Sequence, residues 1–149
     1  MRLAALLLGA TVALSACVES NTAAPPAGSS QVGPGARKAD VVDASVMFRR
    51  VCVVTAPDMA AAKRELSKMP FVQNSATGTY YHQALDLSFK VRKEGGQTVC
   101  SMVLGTTRSP ASVELTMIAA GQGGKADISV QSGLRNGGRT YIGVFAISK

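Results

Sequence analysis

The chain has 149 residues, 46% of them hydrophobic, and a formal charge of +7. That length carries one domain with a real core and excludes two, and the excess of Lys and Arg favours anionic partners. One histidine and three cysteines, without zinc- or calcium-ligand spacing, give no basis for a metal site; four Phe, three Tyr and no Trp leave little for stacking on nucleic-acid bases.

The N-terminus carries Arg2, then an apolar run over residues 3–14, then Ser15-Ala16-Cys17. The run is shorter than the roughly 20 residues a spanning helix needs and matches the core of an export signal, about 7 to 15 residues. A processing peptidase needs small side chains before its cut, and a lipid-transferring enzyme needs a thiol directly after it. Leu14-Ser15-Ala16-Cys17 supplies both and resembles the lipobox of bacterial lipoproteins. The resemblance implies a signal peptide over residues 1–16, lipidation at Cys17, and a mature chain that begins there. Each acyl chain contributes about 0.8 kcal/mol per buried CH₂, and two or three together anchor stably without crossing the bilayer. Val18, not Asp, follows the cysteine; by analogy with enterobacterial lipoproteins this points to the outer membrane, facing the periplasm. Arg2 leaves with the signal, so the mature chain carries +6, all of it on residues 41–149. The anions within reach would be lipid head groups, lipopolysaccharide and cell-wall polymers, not nucleic acid.

With Cys17 taken by lipid, Cys52 and Cys100 remain as an even pair, and an oxidising periplasm should join them. Residues 17–40 form the lipidated cysteine and a linker of Pro, Gly, Ser and Ala that cannot bury enough surface to offset its own ordering. Such a tether reaches roughly 25 to 30 Å.

From Asp43 the pattern becomes helical: Ala44, Met47, Phe48, Val51, Cys52 and Thr55 share one face, with Asp43 as its cap. The β-branched run Val51, Val53, Val54 admits a strand instead, but the helix fits more positions. A second helix begins with Thr55 and Asp58 as a capping box and Pro57 in its first turn. Met59, Ala62, Leu66 and Met69 are its buried stripe, and Pro70 stops it. Residues 71–107 read as sheet. Thr79-Tyr80-Tyr81-His82 is a short strand, and Leu85, Leu87, Phe89 and Val91 alternate with polar residues. Glu94-Gly95-Gly96 turns the chain, and Cys100, Met102 and Leu104 return on one face. Ser109-Pro110 opens a third helix with Val113, Met117 and Ala120 inward, ended by Gly121-Gln122-Gly123-Gly124. A second hairpin follows: Ile128, Val130 and Ser132 go out, Asn136-Gly137-Gly138 turns, and Tyr141, Gly143, Phe145 and Ile147 come back as a central or well-covered strand. The expected class is α+β, an antiparallel sheet of four to six strands with two or three helices packed on one face and one disulfide.

Catalysis has little support. His82 is the lone histidine, with Tyr80, Tyr81 and Asp86 as neighbours, and the two domain cysteines are removed as nucleophiles by pairing. No G-x-S-x-G elbow or phosphate cradle occurs. The residues best suited to a partner are Arg49, Arg50, Tyr80, Tyr81 and His82, and the arginines could merge with Lys63-Arg64 into one anion-binding patch. The order Phe48-Arg49-Arg50-Val51-Cys52, Tyr80-Tyr81-His82, Leu87-Ser88-Phe89-Lys90 and Cys100-Ser101-Met102-Val103 is similar to small exported alphaproteobacterial proteins without assigned function, over residues 44–107. The chain is therefore expected to be a membrane-anchored envelope lipoprotein with a single α+β binding or accessory domain over residues 41–149. It is not expected to be an enzyme or to carry a cofactor. Its partner would be an envelope protein or an anionic glycan or lipid; the competing reading is a small envelope hydrolase or transferase using His82.

Overall fold

The computed structural model describes residues 36–148. The readings on residues 1–16, on Cys17 and on the tether through residue 35 lie outside them. The element order is α1 (Val41–Phe48), a π turn (Arg49–Val53), α2 (Met59–Ser67), β1 (Phe71–Gln73), β2 (Tyr80–His82), β3 (Leu87–Glu94), β4 (Gln97–Thr106), α3 (Pro110–Gly121), β5 (Ala126–Asn136) and β6 (Arg139–Ser148).

Short side chains fix the helix starts. Asp40, not Asp43, caps α1: its Oδ1 accepts the N–H of Val42 at 2.8 Å and of Asp43 at 3.3 Å. Asp58 is itself the cap of α2, accepting from Ala60 and Ala61, where a capping box from Thr55 was expected. Thr55 Oγ1 instead donates to the Val51 carbonyl, and Pro57 precedes the helix after a cis peptide. Ser109 caps α3 with Pro110 in its first turn, as the dipeptide predicts. The helical stripe expected through Thr55 continues past Phe48 as the π turn, whose wider coil is closed by Val54 N–H donating to Arg49 O. Packing begins before residue 41: Ala36 and Ala39 are buried, and Arg37 exchanges hydrogen bonds with Ala84 O and Asp86 N.

All strands are antiparallel in one sheet of order β1-β2-β3-β4-β6-β5. The two long hairpins turn on Gly95-Gly96 and Gly137-Gly138, each with positive φ, a conformation that costs glycine little. After α3 the chain enters the sheet edge as β5, so the closing strand β6 falls between β5 and β4. Register then places Leu87, Leu104 and Ile142 in one row, Phe89, Met102 and Val144 in the next, and Val91, Cys100 and Ala146 in the third. This is the face the helices cover. Phe48, Val51, Leu66, Val113 and Met117 press onto it, all fully buried. β6 contributes Ile142, Val144 and Ala146 to that core, so the alternate set Tyr141, Gly143, Phe145 and Ile147 points to the other side.

Cys52 and Cys100 are bonded, with Cα atoms 5.4 Å apart and both side chains buried. The bridge staples the π turn to β4, the strand at the middle of the sheet. Closing a loop of 48 residues removes unfolded-state entropy equivalent to about 4 kcal/mol.

Candidate binding surfaces

The face of the sheet away from the helices is the first candidate. Its rows are Tyr81, Ser88, Val103 and Gly143; then Lys90, Ser101 and Phe145; then Arg92, Val99 and Ile147. None of these side chains belongs to the core under the helices. A Cβ on Gly143 would lie 3.1 Å from the Phe145 ring, so the glycine lets that ring lie over the strand. Val103, Tyr141, Phe145, Ile147 and Lys90 are half-buried, and Arg92 is paired with Glu94 at 2.7 Å. Tyr81, Ser88, Val99 and Ser101 are themselves buried, so what the face offers to solvent is the half-buried surface of Val103, Phe145 and Ile147 with the stems of Lys90 and Arg92.

A polar cluster closes one end of it. Asp86, 4% exposed, accepts on Oδ2 from Arg139 at 2.8 Å and from the Tyr141 hydroxyl at 2.9 Å. Arg139 also donates to the Ala36 carbonyl at 2.6 Å. Burial, and then the bond to Asp86, push the Tyr141 hydroxyl above its usual range, so it stays protonated and keeps donating. Gly105 permits the arrangement, because a Cβ there would lie 2.3 Å from Asp86 Oδ2. The cluster clamps the start of the described chain to the sheet. Asp86 was expected beside His82; its side chain turns instead to β6.

His82 is 8% exposed, and its Nδ1 accepts the N–H groups of Ala84 and Leu85, both at 3.0 Å. The ring stands edge-on to Phe71 at 5.0 Å. Burial, aided by the charge of Arg37, holds the imidazole below its ordinary pKa. Its proton therefore sits on Nε2, and Nδ1 organises the turn between β2 and β3. Of the tyrosine pair, Tyr80 packs on the core side and Tyr81 lies on the open side, where it is only 6% exposed. Neither ring, although both were expected to bind a partner, projects freely into solvent.

The arginines occupy the helix layer, apart from Tyr80–His82. Arg49 donates to the carbonyls of Ala120 at 2.7 Å and Gln122 at 2.9 Å, capping the C-terminal end of α3. Arg50 pairs with Glu65 at 2.6 Å, and Lys68 joins the same carboxylate. These bonds, Lys68's first, hold Glu65 below the usual carboxylate range. Val46, Arg49, Arg50, Val54, Thr55 and Glu65 line an open groove of about 430 Å³. Lys63 and Arg64 are exposed, and Arg64 sits 3.7 Å from Asp58. The expected single anion patch is thus divided between internal partners.

Among the described residues, no three His, Cys, Asp or Glu side chains gather to hold a metal, and no helix is long and apolar enough to cross a membrane. The geometry defines an α+β domain with one helix-covered and one open sheet face, stapled by a single disulfide. No protein-family model, curated protein or solved structure matches the chain.

Proposed function

We propose that the chain is a lipid-anchored protein of the bacterial cell envelope, held on the outer membrane facing the periplasm, whose domain serves as a non-enzymatic binding or accessory module. The observation that carries this reading is the cysteine pairing. Cys52 and Cys100 are bonded to one another, and the remaining cysteine is Cys17, directly after Leu14-Ser15-Ala16. A buried structural disulfide suits an oxidising compartment, and a lone cysteine after small residues suits lipid attachment. The way polar groups are occupied supports a binding role: His82 Nδ1 serves its own turn, and Asp86 clamps β6. The open face, with Phe145, Ile147, Lys90 and Arg92, suits an anionic glycan better than it suits a reacting centre.

The test follows Cys17 in the native host. Mass spectrometry of the mature N-terminal peptide should find an acylated Cys17 and no residues 1–16, and Cys17→Ser should move the protein out of the membrane fraction. An uncleaved, unmodified N-terminus would overturn the reading.

A further inference from the structure

The two edges of the sheet are finished differently. β1, at one edge, is three residues long and follows Pro70, so it offers little backbone to a further strand. β5, at the other, runs for eleven residues, and among the described residues no strand pairs with its outer side. Its register with β6 is regular over residues 126–132 and shifts only between Ser132 and Arg135. That stretch has no proline, lysine or arginine, and Ser129, Gln131 and Ser132 are exposed. The N–H and C=O groups along such an edge are a template for another strand. A second unfinished feature lies beside it. Gly121 of α3 abuts Ile128 so closely that no Cβ would fit there. Ile118, one turn earlier on the same side of α3, is 45% exposed, so its apolar side chain stands beside the free edge.

We propose that this edge pairs with the same edge of a second copy of the chain, β5 against β5 antiparallel, about a two-fold axis at Ser129. The inference goes beyond the lipid-anchor reading and does not depend on it. Residues opposite one another in an antiparallel pair are both bonded or both non-bonded, and the two kinds alternate along a strand. The axis between identical strands therefore passes through a residue. An axis at Ser129 is the choice that uses the whole regular stretch, because residues 126 and 132, 127 and 131, and 128 and 130 then stand opposite one another. This pairing is self-complementary: on the helix side Ile128 meets Val130 of the second copy, and on the open side Asp127 meets Gln131, so no like charges face each other. Ile128 and Val130 already pack against the core, which the pairing extends across the axis. α3 lies over β5 and β6. With strands about 4.8 Å apart, the two α3 helices come to stand roughly 10 Å apart, the spacing of packed helices, and Ile118 is brought toward its counterpart. A peptide from another protein would satisfy the strand edge but leave Ile118 in water, whereas a second copy brings its own α3 to cover it.

Cysteine cross-linking reads both the contact and its register. The full chain carrying Ser129→Cys is expressed in the native host and gently oxidised. The unsubstituted chain is the control for Cys17, and Cys52 and Cys100 are already bonded to each other. Paired as proposed, the two introduced thiols sit on Cα atoms roughly 5 Å apart, within disulfide reach, whereas Gln131→Cys sets them about 14 Å apart. The expected result is a covalent homodimer at least about fivefold more abundant for position 129 than for 131. Sedimentation of the purified, detergent-solubilised chain should show a dimer whose dissociation constant rises about tenfold or more with Ile118→Glu, which sets two like charges together near the axis. A monomer at every concentration, equal cross-linking at 129 and 131, or a dimer indifferent to Ile118→Glu would overturn the proposal. So would a Ser129→Cys adduct with a different protein, which would give the edge to another partner. The cross-linking comparison stands whether or not Ile118→Glu folds.

Discussion

The covered and open faces of the sheet are built by the same strands, yet they do different work. On the helix side, Leu87, Phe89, Met102, Leu104, Ile142 and Val144 are essentially without solvent contact. Their residue types are interchangeable in kind, and what matters is filled volume. On the open side the same alternation delivers Ser88, Lys90, Arg92, Ser101, Gly143 and Phe145, a mixture with no single packing logic. Residues chosen for packing stabilise the fold, whereas on the other face packing dictates the residue types far less.

That contrast can be broken experimentally. The largest effect should come from the staple into the covered face. Replacing Cys52 and Cys100 together by Ala should lower unfolding free energy by about 4 kcal/mol, measured by denaturant titration against the wild type with its disulfide intact. Next, Ile142→Ala should cost roughly 3 kcal/mol through its cavity, whereas Ile147→Ala, five residues along the same strand but on the open face, should cost about 1 kcal/mol or less. Equal losses would mean that the open face is packed after all. Arg139→Ala leaves Asp86 buried without that charge partner and should cost roughly 2 kcal/mol, discounted because the arginine is partly exposed. It should also expose residues 36–40 to limited proteolysis, since Ala36 loses its clamp.

A pH scan probes the edge between the faces. His82 has a lowered pKa in the fold, so the folded state binds fewer protons than the unfolded one just below the ordinary value of 6.5. Stability should therefore be constant above that pH and fall as pH drops through it, and His82→Gln should flatten this part of the curve in thermal melts. Smallest of all, Arg50→Ala should leave the melting temperature unchanged within error, because its ion pair with Glu65 is solvent-screened.

Local signals were legible wherever a short stretch decides its own geometry. Ser109-Pro110 starts α3 and the two Gly-Gly pairs turn the hairpins, each through backbone preferences of adjacent residues. The caps of α1 and α2 were misplaced by three residues for a related reason. Asp40 and Asp43, like Thr55 and Asp58, both offer a side-chain oxygen at the right period, and only the entering chain direction chooses between them. The face of β6 was ambiguous because both alternating sets are apolar. The candidate site was less legible still. Asp86 meets Arg139 and Tyr141 across 53 and 55 residues, and Arg49 finds the end of α3 across 71; no spacing along the chain announces such partners.

By itself, then, the sequence determined the class, the number and order of most elements, and the pairing of Cys52 with Cys100, because hydrophobic period, turn chemistry and cysteine count are local or arithmetical properties. The tertiary structure alone decided that β6 lies between β4 and β5, which side of it meets the helices, and which charged groups are bound internally. Those outcomes depend on strand order and long-range contact, and the entropy of bringing distant residues together is offset only when the whole sheet and its helices assemble at once.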